Sequence, residues 1–196
     1  MALGQRGSGV VAVAISALAV ALALSLALHR RSSAAYTGRW HSRGANVAAE
    51  TTVLALLGAF VALAALASVW APPFSKAATM VLVVLSAVTA VVGGAPVATA
   101  VLRLADKTWP RAGQGLAQAS ILPAGEWLGP LERVVTFACL SLSWPEGVAA
   151  VLVLKSWGRL DVIKTSPEAG QRFMIGTMTS VLWAAALAGV GWAART

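Results

Sequence analysis

AATMVLVVLSAVTAVVGGAPVATAVL, Ala77 to Leu102, is a run of 26 residues without a charge. As a helix rising 1.5 Å per residue it would extend about 39 Å, more than the roughly 30 Å hydrocarbon core of a bilayer. Its Ala, Val and Leu residues do not alternate with polar ones as on a barrel strand, and a chain in lipid must satisfy its own backbone hydrogen bonds. The run therefore reads as a membrane helix. Five more apolar stretches share the pattern: Val10 to Leu28, Ala48 to Val69, Gly125 to Leu142, a shorter Pro145 to Trp157, and Phe173 to Trp192. The expected fold is all-α, a polytopic transmembrane helix bundle of about six helices forming one integral membrane domain over residues 1–196, with a short fifth helix.

Composition agrees with that reading. The chain is 58% hydrophobic and 11% charged, with a mean hydropathy of +0.78, whereas soluble domains carry about 25% charged residues. The first run has a charged residue before it, as a secretory signal would. It is long for a signal core, however, and no small-x-small cleavage site precedes His29-Arg30-Arg31, so it is read as a span.

Basic residues set the orientation, because Lys and Arg collect in cytoplasmic connections. Arg30, Arg31, Arg39, Arg43, Arg103, Lys107, Arg111, Arg159, Lys164 and Arg172 fall in the first, third and fifth connections. Only Arg6, Lys76 and Arg195 fall on the other side. Both termini are thus expected outside the cytoplasm, and the net charge of +8 reflects loop bias rather than nucleic-acid binding. Tryptophan favours the headgroup level, and Trp40, Trp70, Trp109, Trp127, Trp144, Trp157 and Trp192 lie at or near span ends. Trp183, in the middle of the last span, is expected to pack against a neighbour or lipid.

Three ionisable residues break the apolar pattern. Glu132 and Arg133 stand side by side in the fourth span, and Lys155 lies near the end of the fifth. Such groups cost roughly 2.5–3.5 kcal/mol each on insertion scales, and those that persist face protein or water and mark function. If the fourth and fifth spans form a hairpin turning near Pro145, Glu132 lies level with about Gly158. Lys155 and Arg159, four apart and so on one helix face, straddle that level. Glu132 is expected to pair with one or both. Arg133 points about 100° away around its helix and cannot share that arrangement fully. The last span brings Gly176, Thr177 and Ser180 to the same depth, and Gly176 with Ser180 makes a small-xxx-small pair that permits close helix approach. The candidate ligand-binding residues are therefore Glu132, Arg133, Lys155, Arg159, Thr177 and Ser180. A purely structural reading competes with them, in which Lys155 snorkels beside Trp157 and the charges only lock helices together.

Gly93-Gly94-Ala95-Pro96 falls inside the third span, where Pro removes a hydrogen bond and Gly loosens the turn, so a kink or break is expected. His29 and His41 lie in a polar, basic stretch, His29 to Val47, read as a loop or surface-lying segment; without Cys or nearby Asp they make a poor metal site. Cys139, the one cysteine, permits no intramolecular disulfide and reads as a small buried hydrophobe.

Gly125-Glu126-Trp127-Leu128-Gly129-Pro130-Leu131-Glu132-Arg133, Lys155-Ser156-Trp157-Gly158-Arg159 and Ile175-Gly176-Thr177-Met178-Thr179-Ser180 together resemble a pattern of uncharacterised bacterial polytopic integral membrane proteins. That pattern pairs G-x-x-IG-x-LER with AKS-x-x-R and an E-Y-x-L-IGT-x-x-S helix start, and the likeness covers about 60 residues. It implies a multi-pass protein of the bacterial cytoplasmic (inner) membrane and no particular activity. Gln171 stands where the pattern has an acidic residue, with Glu168 three residues earlier.

The chain lacks a Ser/His pair, an Asp-x-x-Asp metal site, an HExxH and a glycine-rich phosphate loop, so no metal or cofactor is read from it, and a membrane-embedded enzyme, with only Glu132 and Glu126 to serve as acid or base, is the least favoured class. The favoured reading is binding or transport of an anionic lipid headgroup or small anion by the charged cluster. The alternative is a non-catalytic subunit or assembly partner of another membrane protein, or a homo-oligomer.

Overall fold

The computed structural model describes residues 2–36, 46–70, 75–108, 125–158, 160, 164 and 167–195. They form six helices, the fifth short, and, among the described residues, no strand: α1 (Ala2–Tyr36), α2 (Asn46–Trp70), α3 (Lys76–Thr108), α4 (Gly125–Ser141), α5 (Pro145–Trp157) and α6 (Pro167–Ala193). Helices α3 and α6 form the central antiparallel pair. Helices α1 and α2 cover one side, α4 the other, and α5 packs mainly on α4.

Contacts spaced along the central pair fix its register. Thr79 Oγ1 donates to Ala194 O at 3.3 Å and Trp183 Nε1 donates to Thr89 O at 3.2 Å. At the far end a Cβ on Gly176 would sit 3.5 Å from Leu102 Cδ1. Small residues at these crossings let the helices approach closely. Trp183 is buried, against Gly93 of α3 and Ser25 of α1, and so packs against neighbours.

Large apolar side chains lie on both the inside and the outside of the bundle. Ala is the commonest buried residue, beside Leu18, Leu57, Leu82 and Leu187 and with Ser25, Ser68, Ser86, Thr89 and Thr136 also buried, while Leu66, Val69, Met80, Val84, Leu154 and Leu182 face outward. Large apolar side chains on the outside are unfavourable in water and suited to lipid. Several buried hydroxyls satisfy themselves within their own helix, Ser25 on Ala21 O at 2.8 Å, Ser68 on Ala64 O at 2.8 Å and Thr89 on Leu85 O at 2.7 Å. Val10–Ala27, Lys76–Ala105 and Ala169–Ala193 are long and apolar enough to cross a membrane, with Leu54–Trp70 a shorter apolar helix. These features fit a membrane protein. Trp70, Trp127, Trp144, Trp157 and Trp192 are exposed near helix ends; Trp40 and Trp109 lie outside the described residues.

Three details differ from the sequence reading. The stretch from His29, taken as loop or surface segment, continues α1 as helix to Tyr36, and α2 resumes at Asn46; His41 lies outside the described residues. Helix α6 begins at Pro167, ahead of Phe173, because Pro at the first helical position has no N–H to leave unpaired. Helix α3 passes through Gly93-Gly94-Ala95-Pro96 without a break. The backbone N–H missing at Pro96 is a single loss within a long helix packed on both sides, and the two glycines have another use, described below.

The α4–α5 hairpin positions the charged residues. Helix α4 ends in a Schellman motif: Trp144 N–H donates to Cys139 O at 2.8 Å, Ser143 N–H donates to Leu140 O at 3.1 Å, and Ser143 takes the left-handed position with φ 57°. Pro145 then opens α5, where it cannot continue α4 but suits a first helical residue. Gly147 is buried against Cys139 and Trp144; a Cβ there would lie 2.6 Å from Cys139 Sγ, so the hairpin closes only over glycine.

Candidate functional site

The turn sets which charges meet. Its centre is the Ser143–Trp144 bond, which lies midway in sequence between Glu132 and Lys155. An antiparallel hairpin places residues equidistant from its turn at one level, so the centre at Ser143–Trp144, rather than Pro145, moves the partner of Glu132 from about Gly158 to Lys155 itself. Lys155 Nζ donates to Glu132 Oε2 and forms an ion pair with it. The two side chains are only 19% and 12% exposed, which makes mutual neutralisation the condition for their burial. Lys155 Nζ also stands 5.6 Å from the centroid of the Phe173 ring at the start of α6, within cation–π range. One cation thus joins α5 to both α4 and α6. Arg159 lies outside the described residues.

Arg133 goes elsewhere. One residue further along α4, it turns toward α3 and is 5% exposed. Its chain folds back over the preceding turn of its own helix, the direction long helical side chains favour, so that Nη2 lies 3.6 Å from where a Cβ on Gly129 would be. Across the interface a Cβ on Gly94 would overlap Arg133 Cδ and lie 2.8 Å from Nε and 2.9 Å from Nη1. Gly94 and Gly129 therefore flank Arg133 in a notch that is closed by a Cβ at Gly94, whereas a Cβ at Gly129 would make only ordinary contact. The adjacent Gly93 serves in the same way for Trp183 and Ser25, since its Cβ would fall 2.7 Å from Trp183 Cζ2 and 2.8 Å from Ser25 Oγ. The glycine pair of α3 thus accommodates one large side chain on each side.

The polar residues of α6 join this cluster only by position. Thr177 and Ser180 are both buried on the helix that packs along α3 and α4, but no described hydrogen bond links either to Glu132, Arg133 or Lys155. Three groups at this end of the bundle are buried without a hydrogen-bond partner among the described residues: Arg133 Nε, Glu132 Oε1 and Thr177 Oγ1. Buried polar atoms are normally satisfied, and each exception calls for an explanation. Glu132 and Lys155 pair with one another, leaving the guanidinium with one donor, Nε, unpartnered among the described residues. Its planar fork is suited to bidentate contact with phosphate or carboxylate.

Gly94 and Gly129 are the residues that sequence reasoning missed as parts of the site. The signal was present, since Gly93-Gly94 was conspicuous in the third span and Gly129 lies four residues before Arg133. Reading the glycines as loosening the helix, rather than as space for a side chain from another helix, concealed it.

No family model, curated protein or solved structure matches this chain, so the functional reading rests on the geometry.

Proposed function

We propose that this chain is a multi-pass protein of the bacterial cytoplasmic membrane that binds, and in transport would pass on, an anionic group at Arg133. The observation that carries the reading is the division of labour within the cluster: Glu132 is committed to Lys155, whereas Arg133 lies buried beside Gly94 and Gly129 with Nε unpartnered among the described residues. A guanidinium that served only to brace the fold would be expected to spend its donors on helix carbonyls or on a carboxylate. The likeness of the Leu131-Glu132-Arg133 segment to bacterial polytopic membrane proteins, the six apolar runs and the bias of basic residues support the membrane, the multi-pass topology and both termini outside the cytoplasm.

The test is anion binding by the purified full chain, followed as the shift in unfolding temperature on adding inorganic phosphate. Wild type is expected to be stabilised in a saturable way, and Arg133→Gln to fold but lose the shift. A ligand present at about 100 times its Kd contributes roughly 2.7 kcal/mol to the bound state, well above detection. An equal shift in both proteins, or none in either, removes the proposal.

A second reading, a subunit of a larger membrane assembly or a homo-oligomer, draws on α5. This helix packs mainly on α4 and turns Val153, Leu154 and Trp157 outward. Co-purification of a second membrane chain that depends on that face would favour it.

A further inference from the structure

Arg133 is 5% exposed, so an anion can reach its guanidinium freely only if a helix beside it moves. The lie of the side chain narrows the choice. Its Cδ stands where a Cβ on Gly94 of α3 would be, while Nη2 reaches back to Gly129, one turn nearer the start of α4. Helix α4 runs parallel to α6, since a Cβ on Gly191 would touch Phe137 and Arg195 Nη1 donates to Ser141 O at 3.0 Å. It is therefore antiparallel to α3, and the turn at Gly129 lies level with the part of α3 that follows Gly94. The guanidinium thus spans the level of Gly94 and of Pro96 just beyond it.

That stretch is where α3 is least firmly bonded to itself. Pro96 has no N–H to offer Val92 O, the carbonyl four residues back. Thr89 O, which faces Gly93 N–H in the helical ladder, also accepts Trp183 Nε1 at 3.2 Å. Thr89 Oγ1 donates to Leu85 O at 2.7 Å and Thr99 Oγ1 to Ala95 O at 2.8 Å, side-chain bonds that compete with the helix's own and favour bending. The carbonyls of residues 85, 89, 92 and 95 are three or four apart and so line one side of α3. It is the side toward α6, where Trp183 stands. Gly93 and Gly94 add two residues of low helix propensity at the same level. Helix α4 has one such loss, at Pro130, but the Glu132–Lys155 pair ties it to α5. Of the two helices that hold Arg133, α3 is the one able to give way.

We propose that Gly93–Pro96 is a hinge, and that bending of α3 there, which tilts the residues after Pro96 away from α6, opens Arg133 to its anion. The inference rests on the anion-binding reading above and deepens it by naming the movement that admits the ligand. With α3 straight the site is shut, and the anion draws the population toward the bent form.

The test is a reversible lock in purified full-length protein with Cys139 replaced by Ala. A Cβ on Gly176 would lie 3.5 Å from Leu102 Cδ1, so Leu102→Cys with Gly176→Cys brings two thiols within reach of a disulfide. That bond ties the part of α3 beyond the hinge to α6. Binding of inorganic phosphate is measured by titration calorimetry for the pair reduced and oxidised, for wild type, and for Pro96→Ala, which restores the N–H for Val92 O. Wild type and the reduced pair are expected to bind alike. The oxidised pair and Pro96→Ala should bind at least about tenfold more weakly, the result of cutting the competent population to about a tenth. Equal affinity of the oxidised and reduced pairs, or wild-type affinity in a folded Pro96→Ala protein, overturns the hinge and leaves the anion site standing. If the two cysteines impair binding even when reduced, Pro96→Ala alone decides. Absence of phosphate binding by wild type overturns both.

Discussion

Glu132 and Arg133 are chemical neighbours with separate tasks, and each task predicts a different mutational signature. The Glu132–Lys155 pair is largely buried, so removing one partner strands a charge, at about 3–5 kcal/mol, whereas replacing both with apolar residues of similar size is often neutral or stabilising. Lys155→Met and Glu132→Leu alone are expected to lower the unfolding free energy strongly, and the double variant to recover most of the loss, as read in a denaturation cycle. Failure of the double variant to recover would give the pair a task beyond bracing. Arg133 is held differently. Its Nε has no hydrogen-bond partner among the described residues, and its position depends on the absence of a side chain at Gly94. The pairing of Glu132 with a basic residue of the fifth helix was legible from spacing alone. The notch was not, because it depends on how α4 lies against α3, and no local pattern in either segment encodes that register.

The hairpin of α4 and α5 is the element on which the charged residues depend. Its centre at Ser143–Trp144 determines that Glu132 meets Lys155, and it is held by a serine in a conformation better suited to glycine. The left-handed position costs a residue with a Cβ about 1–2 kcal/mol, and glycine gives back roughly 0.5–1 kcal/mol of that in unfolded-chain freedom. Ser143→Gly should therefore stabilise the protein by about 0.5–1 kcal/mol in reversible unfolding, and a destabilised Ser143→Gly would mean that the turn is not set by the Schellman motif. The span of α5 was readable because Pro145 and Trp157 bound its apolar run. The turn centre was not, since Leu142 and Ser143 carry no Gly or Asn signal at the left-handed position.

For the whole molecule, the proposed topology predicts one arrangement: Ala and hydroxyl-bearing residues among those where helices meet, large apolar residues also on the outer face, and the basic connections on the cytoplasmic side. With Cys139 replaced by Ala, single cysteines label according to side. A cysteine at Ser143, in the α4–α5 turn, is expected to react with a membrane-impermeant thiol reagent applied from outside intact cells, and one at Lys164, in the α5–α6 connection, only after permeabilisation. Reversed labelling would invert the orientation, placing the charged cluster at the outer face. Helical class and the approximate extents of the helices were legible because hydropathy and helix length are local properties. The packing order, with α3 and α6 at the centre, became visible only through tertiary contacts such as Trp183 to Thr89.

The most direct test of the central claim is native mass spectrometry of the protein extracted from its own membrane, comparing wild type with Arg133→Gln. The account predicts a bound anionic species on wild type, identified by its mass, that is absent from a folded Arg133→Gln protein. The same bound species on both proteins, or a bare wild type with an Arg133→Gln variant that no longer folds, would make Arg133 a support of the bundle and contradict the account.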